Sequence, residues 1–99
     1  MIRVLAWRIL RSGAALPLRE VDSVAAREGL DTRDRGLLRR LVATDVRRRA
    51  TLRVLVERFS TGRIDADLAT HLRLGMIQLF FLDQIPDHAA VSELSLIHI

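Results

Sequence analysis

The sequence predicts an all-α helical bundle, and three observations predict it. Apolar residues recur at three- and four-residue spacing through most of the 99 positions. Acids that suit helix starts and glycines that suit helix ends fall at the limits of these runs, and no stretch alternates apolar and polar residues as a half-buried strand would. A chain of this size, with no internal repeat or low-complexity segment, makes one domain around a single modest core.

Taken in order, Ile2–Ser12 reads as a first helix with Ile2, Leu5, Ala6, Ile9 and Leu10 inward, Arg3, Arg8 and Arg11 on its other side, and Gly13 as the residue after its end. After the loop Ala14–Pro17, a second helix over Leu18–Glu28 turns Leu18, Val21, Val24 and Ala25 inward and closes at Gly29. Asp31 caps a long third helix that runs through Gly36, Leu37, Leu38, Leu41, Val42 and Val46 and ends in the run Arg47-Arg48-Arg49. Thr51 caps a short fourth helix with Leu52, Leu55, Val56 and Phe59 inside, and Ser60-Thr61-Gly62 breaks it.

The stretch from Ala66 to Glu93 reads as the element around which the rest is arranged. Asp65 caps it, Asp67 complements the positive end of its dipole, and Leu68, Leu72, Met76 and Leu79 form a stripe while other apolar residues fill most remaining angles. Such a helix is normally enclosed by its neighbours, and it is too often interrupted to be a membrane span of ~20 apolar residues. Leu72, Met76, Leu79 and Phe80 are therefore expected in the core, with Leu79→Ala costing ~2–5 kcal/mol. Gly75 is expected where another helix crosses closely. Asp83 and Pro86 end the run, and Asp87 caps the start of a sixth helix at His88-Ala89-Ala90-Val91.

All sixteen basic residues are Arg, against twelve acids, for a net charge of +4. Guanidinium forks pair with phosphates and stack on bases, so this surface suits nucleic acid; a GC-rich genome produces the same Arg excess whatever the function. The absence of Cys removes disulfides and thiolate metal sites, and the three His and the carboxylates show no ligand spacing. Residues 1–10 lack the cleavage site of a targeting signal. His71 and His88 have no carboxylate or serine at a telling spacing, so neither reads as a general base, and no catalytic or metal-binding residue is assigned.

Leu72-Arg73-Leu74-Gly75, Gln78-Leu79, Leu82-Asp83 and Ile85-Pro86-Asp87-His88-Ala89-Ala90-Val91-Ser92-Glu93 closely resemble the late helices of the NusB-type RNA-binding domain. They look most like the version at the N-terminus of the RsmB (Fmu/Sun) ribosomal-RNA cytosine-5 methyltransferases. Arg3, Ala6, Arg8 and Leu10 match the opening helix of that version, and Asp31–Leu52 resembles its middle; the likeness covers roughly residues 2–93. Asp45 departs from the pattern, standing where relatives are often apolar, and is expected either exposed or paired with Arg48 or Arg49.

The resemblance implies a NusB-like bundle of five helices plus the start of a sixth, C-terminally truncated. It implies an RNA-binding accessory domain of a small-subunit rRNA 5-methylcytosine methyltransferase, with ribosomal or other single-stranded RNA and its own C-terminal methyltransferase domain as partners and the cytoplasm as location. Because the basic start of the first helix lies on the RNA face in free NusB, it implies phosphate roles for Arg3 and Arg8, and Arg11 on the same helix is counted with them as an RNA-binding candidate; a solvated helix face predicts the same spacing. Arg47 and Arg48 either contact RNA or complement the negative end of the third helix.

The S-adenosylmethionine-binding Gly-rich turn and the cysteines of that chemistry do not occur in these residues, so the chain shown is expected to hold no cofactor and to be no enzyme. Residues 1–93 are expected to be the incomplete domain. Leu94-Ser95-Leu96-Ile97-His98-Ile99 reads as a translated sequencing adapter forming a non-native tail. Two other readings are a free NusB-like antitermination factor, partnered by a NusE-like ribosomal protein, and a helical protein-interaction module without RNA affinity.

Overall fold

The computed structural model describes residues 1–59, 62 and 64–82, leaving aside the side chains of Phe59 and Phe80. Five helices follow one another: α1 (Ile2–Arg11), α2 (Pro17–Glu28), α3 (Thr32–Arg47), α4 (Arg49–Phe59) and α5 (Ala66–Met76), the last continued by a π-helical turn over Ile77–Phe81. There is no strand among the described residues, and the all-α bundle expected from the sequence is the fold observed. The breaks expected at Ser60–Thr61 and Asp83–Pro86, the sixth helix, the burial of Phe59 and Phe80, and residues 94–99 lie outside the described residues.

Local chemistry sets the boundaries. The Ser12 hydroxyl donates to the Ile9 carbonyl at 2.7 Å, and Gly13 at φ 75° turns the chain away from α1. Helix α2 begins at Pro17, one residue earlier than expected, because a proline at the first helical position gives up an N–H that has no partner there anyway. It ends where Gly29, at φ 64°, lets the Leu30 N–H reach back to the Ala25 carbonyl at 3.0 Å. The caps expected of Asp31 and Asp65 are formed, each carboxylate accepting from the N–H three residues on at 2.8 Å. Thr51, however, caps nothing. Arg48 alone interrupts the helical path, its carbonyl accepts from the Leu52 N–H at 2.9 Å, and α4 therefore starts at Arg49 with Thr51 inside it.

The core gathers Leu5, Ala6 and Ile9 of α1, Val21 and Val24 of α2, Leu38, Leu41 and Val42 of α3, Leu52 of α4, Leu74 of α5 and Ile77 of the π turn. Helix α3 is the centre, since it packs against every other element. Helix α5 is not the enclosed rod its composition suggested. Its inward stripe is Thr70, Arg73, Leu74 and Ile77, about 155° around the helix from the stripe chosen on apolar spacing. Leu79 is 64% exposed and Leu68 47%, while Leu72 and Met76 are half-buried.

The inversion has a physical reason. The inward stripe carries two polar residues, and both are satisfied where they lie. The Thr70 hydroxyl donates to the Ala66 carbonyl at 2.8 Å, and the Arg73 guanidinium donates through Nε to Asp45 Oδ1 at 2.6 Å. Asp45 is fully buried and also accepts from Arg49 Nη2 at 2.7 Å. Of the two expectations for Asp45, pairing with Arg49 holds and exposure does not, and Arg73 is the partner that spacing along one helix did not supply.

Candidate nucleic-acid interface

Helices α1 and α5 meet along a polar seam. Arg3, Trp7 and Arg11, one helical turn apart on α1, face Gly75, His71 and Asp67, one turn apart on α5 in the opposite direction. Arg11 Nε donates to Asp67 Oδ1 at 2.7 Å, and Trp7 Nε1 donates to the Asp67 carbonyl at 3.2 Å. The indole of Trp7 lies on the imidazole of His71, with ring centroids 5.0 Å apart and planes inclined by 12°. Arg3 Nη2 donates to the His71 carbonyl at 3.1 Å.

Gly75 permits this last contact, because a Cβ there would lie 3.0 Å from Arg3 Nη2. The close approach expected at Gly75 is thus made by a guanidinium rather than by a crossing helix backbone. Only the end of a flexible side chain must move to admit a methyl group, and Ala gains ~1 kcal/mol of helix propensity over Gly. Gly75→Ala is therefore expected to change stability by less than about 1 kcal/mol; a loss of several in urea unfolding would mean that the backbone, not Arg3, sets the fit.

Beside the seam, between α1, α4 and α5, opens a cleft of roughly 640 Å³. Arg11, Arg49, Arg53 and Arg73 line it over a floor that includes Leu10 and Val56, and Glu57 is the carboxylate on its wall. Asp45 holds Arg73 and Arg49 together from behind, so these two cations are fixed in place before any ligand arrives. The Arg11 side chain is 39% exposed and that of Arg49 44%. Arg53 is exposed and pairs with no described residue. Planar guanidiniums at the mouth of a concave surface suit the oxygens of a phosphate, which accept two parallel N–H donors.

The five arginines singled out from the sequence do not form one surface. Arg3 and Arg11 belong to the seam, and Arg11 alone also borders the cleft. Arg8 is exposed on α1 about 140° around from Arg3 and pairs with no described residue. Arg47 is exposed at the end of α3, whereas Arg48 is half-buried with its guanidinium carbon 5.0 Å from the centre of the Phe81 ring. The triple-arginine run therefore points three ways, with Arg49 turned onto Asp45. Trp7, Arg49, Arg53 and Arg73, which the seam and the cleft bring in, were not singled out from the sequence. For Trp7, Arg49 and Arg53 the available signals were the four-residue spacings Asp45-Arg49-Arg53 and Arg3-Trp7-Arg11, each of which places its members on one helix face, whereas nothing local marked Arg73.

No group of three or more His, Cys, Asp or Glu able to hold a metal occurs among the described residues, and no described helix is long and apolar enough to cross a membrane. No curated protein and no solved structure matches the chain. Residues 4–97 match the NusB family, a span that begins inside α1, takes in α2 to α5 and runs past Glu93 into the final hexapeptide. The chain belongs to the NusB family.

Proposed function

We propose that this NusB-family chain is an RNA-binding accessory domain, and that it serves a small-subunit rRNA 5-methylcytosine methyltransferase whose catalytic domain lies outside these residues. The observation that carries the RNA part is the arginine-lined cleft between α1, α4 and α5, with Asp45 fixing Arg49 and Arg73 and with Arg53 unpaired among the described residues. Prefixed cations bind a polyanion without first losing the rotamer freedom of long side chains. The resemblance of the Leu72–Gly75 and Ile85–Glu93 segments to the RsmB version supports the methyltransferase part. On this proposal the domain acts in the cytoplasm and does no chemistry itself, and S-adenosylmethionine belongs to the catalytic domain.

Fluorescence anisotropy with single-stranded segments of small-subunit rRNA tests it. Binding should weaken as salt rises, the magnitude of the log-affinity against log-salt slope growing by ~0.7 for each phosphate neutralised. The rRNA segments should bind more tightly than unrelated strands of equal length. Absence of binding at low salt would leave a protein-interaction module as the better account.

A further inference from the structure

We infer that the Trp7–His71 stack is a platform for an unpaired nucleobase, so that the domain binds single-stranded RNA by bases as well as by backbone. The inference rests on the RNA-binding reading above and specifies which form of RNA the face takes. The rings are nearly parallel, inclined by 12° and 5.0 Å apart between centroids, with Trp7 packed against the edge of the core and His71 exposed beyond it. Trp7 is half-buried and stacks on the imidazole, whereas His71 is exposed to solvent.

Hydrogen bonds between α1 and α5 tie the stack on both sides. The indole N–H is tied to the Asp67 carbonyl, and the backbone at His71 is tied to Arg3. A third flat ring extending such a stack meets surfaces that are already ordered, and every base has a face suited to it.

The charges around the stack fit the same ligand. Arg3 and Arg11 flank it, one turn away on each side of Trp7, and each spends a single N–H in its contact on α5. A guanidinium has five N–H donors, so both arginines keep donors for phosphates on either side of a stacked nucleotide. Arg11 also borders the arginine cleft, so this one side chain is shared between the platform and the cleft. A duplex keeps its bases paired and stacked on one another and cannot offer one to this ring; a single strand can.

The test compares two ligands on the 99-residue chain: a single-stranded RNA of about ten nucleotides and an abasic strand of the same length. Trp7 is the chain's one tryptophan, so its emission reports on this spot alone. RNA should alter that emission and bind more tightly than the abasic strand. His71→Ala should weaken RNA binding about five- to 150-fold, the range expected for loss of one base–aromatic stack, and leave abasic binding unchanged. His71→Phe, which keeps a flat ring, should restore most of the RNA affinity.

Equal binding of the two strands, or equal loss on both with His71→Ala, would overturn the platform while leaving backbone binding intact. Failure of both strands to bind would overturn the RNA-binding reading and the platform with it.

Discussion

Asp45→Ala is expected to destabilise the fold by ~3–5 kcal/mol, the usual result of removing one partner from a buried ion pair. Asp45 is fully buried, and its loss leaves the Arg73 guanidinium, whose side chain is 11% exposed, with only the 3.4 Å contact from Nη2 to the Thr70 hydroxyl. That hydroxyl already donates to Ala66. A domain of this class has ~5–15 kcal/mol of stability in total, so the variant should show a large drop in its urea midpoint. The double change Asp45→Val with Arg73→Met removes both charges at similar volume and is expected to recover most of the loss, because a buried pair is often no better than well-packed apolar residues. If Asp45→Ala unfolds at the same midpoint as the parent, the pair is not holding α3 to α5.

Leu74→Ala is expected to cost ~2–5 kcal/mol, while Leu79→Ala should stay within about 0.5 kcal/mol. Leu74 is fully buried in the core cluster and Leu79 is 64% exposed. This reverses the expectation drawn from apolar spacing, which placed the large effect at Leu79. Urea unfolding of the two variants decides the orientation of α5 directly: a larger loss at Leu79 would put the Leu68–Leu79 stripe back inside.

The helices themselves were legible in the sequence because the signals that start and stop them are local. Asp31 and Asp65 bond to N–H groups three residues away, and Gly13 and Gly29 take the left-handed conformations that their positions after a helix require. The orientation of α5 was not legible, because it depends on a partner 28 positions earlier in the chain. Arg73 counts as polar in any apolar pattern and so pointed outward on paper; Asp45 on α3 neutralises it and allows the stripe containing it to turn inward. The π turn at Ile77–Phe81 was missed for a related reason. Its Leu82 N–H to Ile77 carbonyl bond of 3.1 Å adds one residue to the turn, and nothing in the run Ile77-Gln78-Leu79-Phe80-Phe81 marks that change of spacing.

The site was half legible for the same reason. The charge excess pointed to a polyanion, and Arg11 was correctly placed on the α1 side facing away from its core stripe. Nothing local, however, says that Arg49 and Arg53 open onto the same cleft as Arg11, since α4 and α1 are brought together only through the packing of α5 and α3 between them. Arg48 shows the converse. Adjacent to Arg49 and equal to it in charge, it sits over Phe81 instead.

The central claim is that RNA meets the α1–α4–α5 face, through Arg53 and Arg11, and not the α3–α4 junction. The salt dependence of single-stranded RNA binding in three single variants, Arg53→Gln, Arg11→Gln and Arg47→Gln, tests it most directly. Arg53 and Arg47 are exposed, and the Arg11–Asp67 pair is solvent-accessible and worth at most ~1 kcal/mol, so all three variants should remain folded. Arg53→Gln and Arg11→Gln are each expected to weaken binding and to lower the magnitude of the log-affinity against log-salt slope by ~0.7, with Arg47→Gln leaving both unchanged. An unaltered slope at Arg53 and Arg11 together with a reduced slope at Arg47 would contradict the account and move the RNA to the end of α3.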